Sequence, residues 1–142
     1  MTIGNESESG GSDDAIDGSD RPPSSYADRI GRLADRAATA AASFEAPDDP
    51  PDEERAIELL REGLGPIVSV YIEARTADEQ EPFSGRELRE LHRGANTYLR
   101  LYAACYGADI DPDVAIRTIA ELVVDTHDIH DTATLLTGVP ER

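Results

Sequence analysis

Lysine does not occur in this chain of 142 residues: all 13 basic positions are arginine. Tryptophan is absent as well, cysteine and methionine occur once each, and aromatics make up only 5%. Each absence excludes something. With Cys105 alone, no internal disulfide can form, which removes the disulfide-stapled scaffolds. The longest apolar-looking stretches, 37–44 and 67–72, fall far short of the roughly 20 residues a bilayer span needs. The first eleven residues, MTIGNESESGG, carry neither a basic n-region nor an apolar h-region, so no signal peptide is expected and the cytoplasm is the expected location. Thirteen arginines against 30 acids leave a formal charge of -17, which is not the balance of a conventional basic nucleic-acid binder.

What is present points to concentrated salt. So large a charge on so short a chain repels itself in dilute buffer. In molar salt the Debye length shrinks to about 3 Å and the repulsion nearly vanishes. Carboxylates keep the surface hydrated without the long apolar stem that lysine would add. Salt also strengthens apolar burial, so a core of Ala, Val, Leu and Ile suffices with few aromatics. This composition resembles that of soluble proteins from salt-in halophilic archaea. There even nucleic-acid binders are acidic overall, and a clustered basic face would be needed to identify one.

The pattern along the chain reads as all-α, a compact bundle of four to five helices behind a disordered acidic N-terminal tail. Residues 1–23 hold six acids against Arg21, and Ile3 and Ile16 are their only sizeable apolar side chains. Nothing there offsets the entropy of ordering. Residues 24–44 form an amphipathic helix capped by Ser24 or Ser25, with Tyr26, Ile30, Leu33, Ala37, Ala41 and Phe44 at helical spacing. Its face is thin and alanine-rich, so it is expected at the periphery, laid against the rest or loosely attached. The proline-rich stretch 45–51 is a rigid acidic linker, and 52–140 is the helical domain proper.

Within that domain, a helix over 52–77 is expected to kink or divide at Gly63, Gly65 and Pro66, because Pro66 lacks an N–H and clashes with the Glu62 carbonyl. The β-branched run 67–72 is compatible with a strand, but the surrounding period favours helix. Ser84 and Glu87 spell a capping box opening the next helix, whose apolar face is Leu88, Leu91, Ala95, Tyr98, Leu99, Tyr102 and Tyr106 and whose stop is Gly107. Asp111-Pro112 opens another, with Ala115, Ile116, Ile119, Leu122 and Val123 inward. A last short helix runs from Asp128 to Thr137.

Three runs, LLREGLGPIVSVYIEAR (59–75), LYAACYG (101–107) and TGVPER (137–142), resemble a small haloarchaeal helical domain family of unknown function. The resemblance covers about the last two-thirds of the chain. It implies a helical module and no activity.

Two clusters remain as candidate sites. Arg86, Arg89, Arg93 and Arg100 project within about 60° of one another on a helix of 3.6 residues per turn. The row reads as a docking face for an acidic partner, a second copy or phosphate groups, unless Glu90 or the acidic outer face of the preceding helix neutralises it. Leu59 and Val70 lie off the main apolar arc of their helix, which suggests a further buried contact, from the first helix or a dimer mate. His127, His130 and Asp131 share a solvent-facing side if the segment is one helix, and would supply three ligands to zinc or a similar ion. Capping is the competing role there, and the spacing lacks the glutamate of HExxH.

Tyr98, Tyr102 and Tyr106, with Tyr71 facing them, are expected in the core, as is Cys105, which has no basic neighbour in sequence. His92 is expected at the core boundary. The segment from Asp131 is similar to the first half of a helix-turn-helix, with no recognition helix following. The expected function is therefore a non-catalytic helical interaction module of a halophile. It needs no cofactor, and its partner is a protein or a second copy. Alternatives are a transcription-associated regulator that binds nucleic acid, then a metal-binding protein through His127 and His130.

Overall fold

A computed structural model describes residues 23–77 and 82–140. The expected tail 1–23 lies outside the described residues except for Pro23, as do residues 141–142 of the TGVPER run. The described chain is an all-α bundle: α1 (Ala27–Ser43), α2 (Glu53–Leu59), a π-helical turn (Leu60–Leu64), α3 (Gly65–Thr76), α4 (Gly85–Cys105), α5 (Ile116–Thr126) and α6 (Ile129–Thr137). Because α2, the π turn and α3 run on without a break, there are five helical rods among the described residues, and no strand.

The long helix α4 is the axis, and every other helix packs on it. It begins at the expected capping box: Ser84 Oγ accepts from Glu87 N at 3.1 Å and Glu87 Oε1 accepts from Ser84 N at 2.9 Å. The other Glu87 oxygen accepts from Ser24 N at 2.9 Å. One buried carboxylate thus ties the start of α4 to the residues leading into α1. Ser24 is not the α1 cap; the helix starts three residues later, with Tyr26 at the N-cap and no side-chain cap.

Of the two arrangements open to α1, the structure has it laid along α4, with Ile30 and Ala37 only 1% and 2% exposed. The thin alanine face that suggested a peripheral helix is what permits the close approach. Gly94 of α4 faces Ala37, and a Cβ placed on Gly94 would lie 3.7 Å from that methyl. Small residues on both helices bring the backbones together, and dispersion contacts accumulate along the seam.

The proline break takes a specific form. Pro66 offers no N–H to the Glu62 carbonyl, so the helix widens by one residue and Gly65 N bonds instead to Leu60 O. Arg36 of α1 donates to the Glu62 carbonyl at 3.2 Å. The rod does not divide into two separate helices, and 67–72 continues as helix.

Pro112 does not open α5. Residues 108–115 are irregular and the helix begins at Ile116 with no side-chain cap. Asn96 of α4 explains the delay: its Oδ1 accepts from Val114 N at 2.8 Å and its Nδ2 donates to Val114 O at 2.9 Å. Both backbone groups are occupied from outside, so Val114 cannot start a helix ladder. Ala115 is exposed in consequence, while Ile116, Ile119 and Ala120 are buried. Leu88 is also more exposed than its expected core place, at 39%. Gly107 stops α4 as expected, with φ 83°; Gly138 ends α6 with φ 79°, and Asp128 caps the start of α6 by accepting from His130 N and Asp131 N.

Candidate functional site

The arginine row occupies the outward side of α4. Arg86 is paired loosely with Glu90, at 3.9 Å, and its side chain is 80% exposed. Arg89, Arg93 and Arg100 are exposed and make no ion pair among the described residues. Neither Glu54 and Glu58 of α2 nor Glu62 of the π turn forms an ion pair with any of the three.

Leu59 and Val70 do not join this face. Val70 is completely buried, so it cannot meet a partner, and the off-arc contact it implied is made inside its own fold. Leu59 is half-buried, and it lines a groove between α1 and α2 with Ala40 on the opposite side.

The metal expectation fails on geometry. His127 ends α5 in the left-handed region, φ 56°, donating its N–H to the Val123 carbonyl at 2.8 Å. It therefore leaves the helical register on which the shared side depended. His130 turns inward instead of outward, its ring edge-on to Tyr102 with centroids 6.0 Å apart. Among the described residues no three His, Cys, Asp or Glu side chains, Asp131 included, are grouped to hold a metal ion.

Tyr98 and Tyr102 of α4 pack as core, and Tyr106, just past the end of the helix, is half-buried against it. Tyr102 and Tyr106 rings lie 5.2 Å apart, and the Tyr102 hydroxyl donates to the Val139 carbonyl at 2.9 Å. Tyr71 is not their neighbour: it stacks on Phe83 at 5.9 Å, and Phe83 meets Tyr26 edge-on at 6.2 Å. Burial pushes the phenols of Tyr98, Tyr102 and Tyr106 above the usual tyrosine value. The guanidinium of Arg36 offsets part of that shift at Tyr98. Cys105 has no exposed surface, and burial raises its thiol pKa, so it lacks the thiolate character of a nucleophile. His92 stands at the core boundary with its Nε2 2.6 Å from Asp113 Oδ1.

Sequence reasoning missed the groove beside the π turn. Asp35, Arg36, Thr39 and Ala40 of α1, Glu58 and Leu59 of α2, Glu62 and Gly63 of the π turn and Tyr98 of α4 line a volume of about 410 Å³. Its floor exists because Gly63 has no side chain, since a Cβ there would run into the Tyr98 ring. The signal was the pair of glycines before Pro66, which marks a break in sequence and, in space, an opening over an aromatic ring.

Residues 24–141 match the family model described as Domain of unknown function (DUF8055). The chain belongs to that family. The DUF8055 match takes in all the described helices, and therefore both the arginine face and the groove. Searches of curated proteins and of solved structures found no match. No helix among the described residues is long and apolar enough to cross a membrane.

Proposed function

We propose that this DUF8055 domain is a non-catalytic interaction module of a halophile's cytoplasm, and that the arginine face of α4 is its docking surface for an acidic protein. The observation that carries the reading is the outward row Arg89, Arg93 and Arg100, without ion pairs among the described residues in a chain of net charge -17. From Arg86 to Arg100 the row extends about 21 Å at 1.5 Å per residue, long enough to meet two or three turns of a partner helix. Guanidinium groups suit this role because their planar fork engages a carboxylate through two parallel bonds. Every other helix leans on α4, so the row is held by a rigid support.

The same row would accept phosphates, and salt separates the two readings. Nucleic-acid affinity falls steeply as salt rises through the release of condensed counterions. The test is capture from the host in molar KCl, comparing the native chain with an Arg89→Glu, Arg93→Glu variant. One stoichiometric protein held by the native chain and lost from the variant, with unchanged far-UV circular dichroism, is the expected result. A protein bound equally by both, or recovery of nucleic acid alone, overturns the docking face. Self-association abolished by the same reversal would identify the partner as a second copy.

A further inference from the structure

The arginine row begins beside the point where residues 1–22 join the described chain. Ser24 N donates to Glu87 Oε2 at 2.9 Å, so the chain enters the fold at the first turn of α4, next to Arg86 in sequence. Residues 1–22 hold six acids against Arg21, and four of the acids, Asp13, Asp14, Asp17 and Asp20, fall in one stretch with no basic residue among them. The lengths agree. Asp20 lies four residues before Ser24, about 13 Å of extended chain, which passes round one side of a helix about 10–12 Å across. From Asp13 to Asp20 the extended chain covers about 23 Å, and from Arg86 to Arg100 the helix covers about 21 Å. A segment laid beside α4 from this anchor therefore presents carboxylates along the whole row.

Charge selects this occupant. A chain of net charge -17 repels an acidic segment from most of its surface. Along the outward side of α4 the sign inverts, because Arg89, Arg93 and Arg100 make no ion pair among the described residues. Each exposed guanidinium–carboxylate pair is weak by itself. Several act together here, and a short tether holds the acids near the row at a millimolar effective concentration. Such a contact needs no buried apolar surface, which residues so poor in apolar side chains could not supply. We infer that residues 13–20 cover the arginine row in cis, so that an acidic partner gains the α4 face only by displacing them. The inference rests on reading that row as a docking face, and it adds the regulation of that face by the chain's own acidic segment.

The test uses the full chain, labelled with nitrogen-15 and carrying a nitroxide on Ser12→Cys; Cys105 has no exposed surface and does not compete for the label. Paramagnetic broadening of the Arg93 and Arg100 amides is expected. Changing Asp13, Asp14, Asp17 and Asp20 together to Asn should remove it, with far-UV circular dichroism unchanged. Absence of broadening at these amides, or broadening that survives the neutralisation, overturns the inference. The second arm titrates fluorescein-labelled deca-glutamate and reads anisotropy. It should bind the neutralised chain about threefold or more tighter than the native chain, and Arg89→Glu with Arg93→Glu should abolish binding to both. Equal affinity for native and neutralised chains, lost on arginine reversal, overturns the cover and leaves the docking face standing. Charge-dependent broadening with no deca-glutamate bound by either chain supports the cis contact and counts against the docking face alone.

Discussion

Gly63 shows how one position can oppose its own intrinsic preference. Alanine in a helix interior is favoured over glycine by about 1 kcal/mol, so Gly63→Ala ought to stabilise on propensity alone. The tyrosine ring beneath it reverses the sign. A Cβ would run into Tyr98, which is 4% exposed and hemmed in by the core, so the ring cannot swing clear. Overpacking of that kind costs about 1–3 kcal/mol, occasionally more. Gly63→Ala is therefore expected to lower stability by up to about 2 kcal/mol net in urea denaturation, and combining it with Tyr98→Leu should recover part of the loss. A stabilised Gly63→Ala protein would show that the ring has room to move. None of this was legible locally, because the sequence shows a glycine before a proline and gives no sign of the aromatic ring 35 positions later.

The start of α5 makes the same point for an element. Asp111-Pro112 is a sound opening signal, since proline suits the first helical turn and aspartate its cap. It was overridden by two hydrogen bonds from Asn96, which hold the Val114 backbone in a non-helical conformation. Asn96→Ala removes both bonds and leaves a partly buried N–H and carbonyl unpaired, at a cost of about 1–3 kcal/mol. Faster hydrogen exchange at Val114 than at the centre of α4 should accompany the loss in denaturation experiments. Unchanged exchange would mean that something other than Asn96 holds the 108–115 segment. Where no distant side chain intervened, the local signals were obeyed: the Ser84–Glu87 box opens α4, and Gly107 and Gly138 end their helices with positive φ.

Across the molecule, Tyr98 and Tyr102 of α4 and Tyr106 just past its end link stability to alkaline pH. Burial raises the phenol pKa of Tyr98, Tyr102 and Tyr106 above the ordinary value near 10. As pH climbs past about 10, the unfolded chain releases those protons while the folded chain keeps them, so the unfolded state binds fewer protons and stability falls. The full contribution is present below about pH 10 and is lost progressively above it. Tyr106→Phe removes one of the three groups, together with a buried hydroxyl that has no partner among the described residues, and should make the alkaline decline shallower. Thermal unfolding between about pH 8 and 11 reads this directly, and a decline no shallower than that of the native protein would assign the effect elsewhere.

Composition and local pattern were enough for the class of fold, the number of helical rods, most caps and stops, and the presence of an arginine row on one side of α4. Those features depend on groups within about four residues of one another, whose geometry a helix sets in advance. Only the packed molecule decided that Glu87 joins two helix starts 63 positions apart, that His130 turns inward while His127 ends a helix, that Val70 is sealed, and that Gly63 opens a groove over Tyr98. In each of these a local group finds its partner across a long stretch of chain. Which partner arrives is settled by how the helices pack, through shape and buried area that no short segment carries alone.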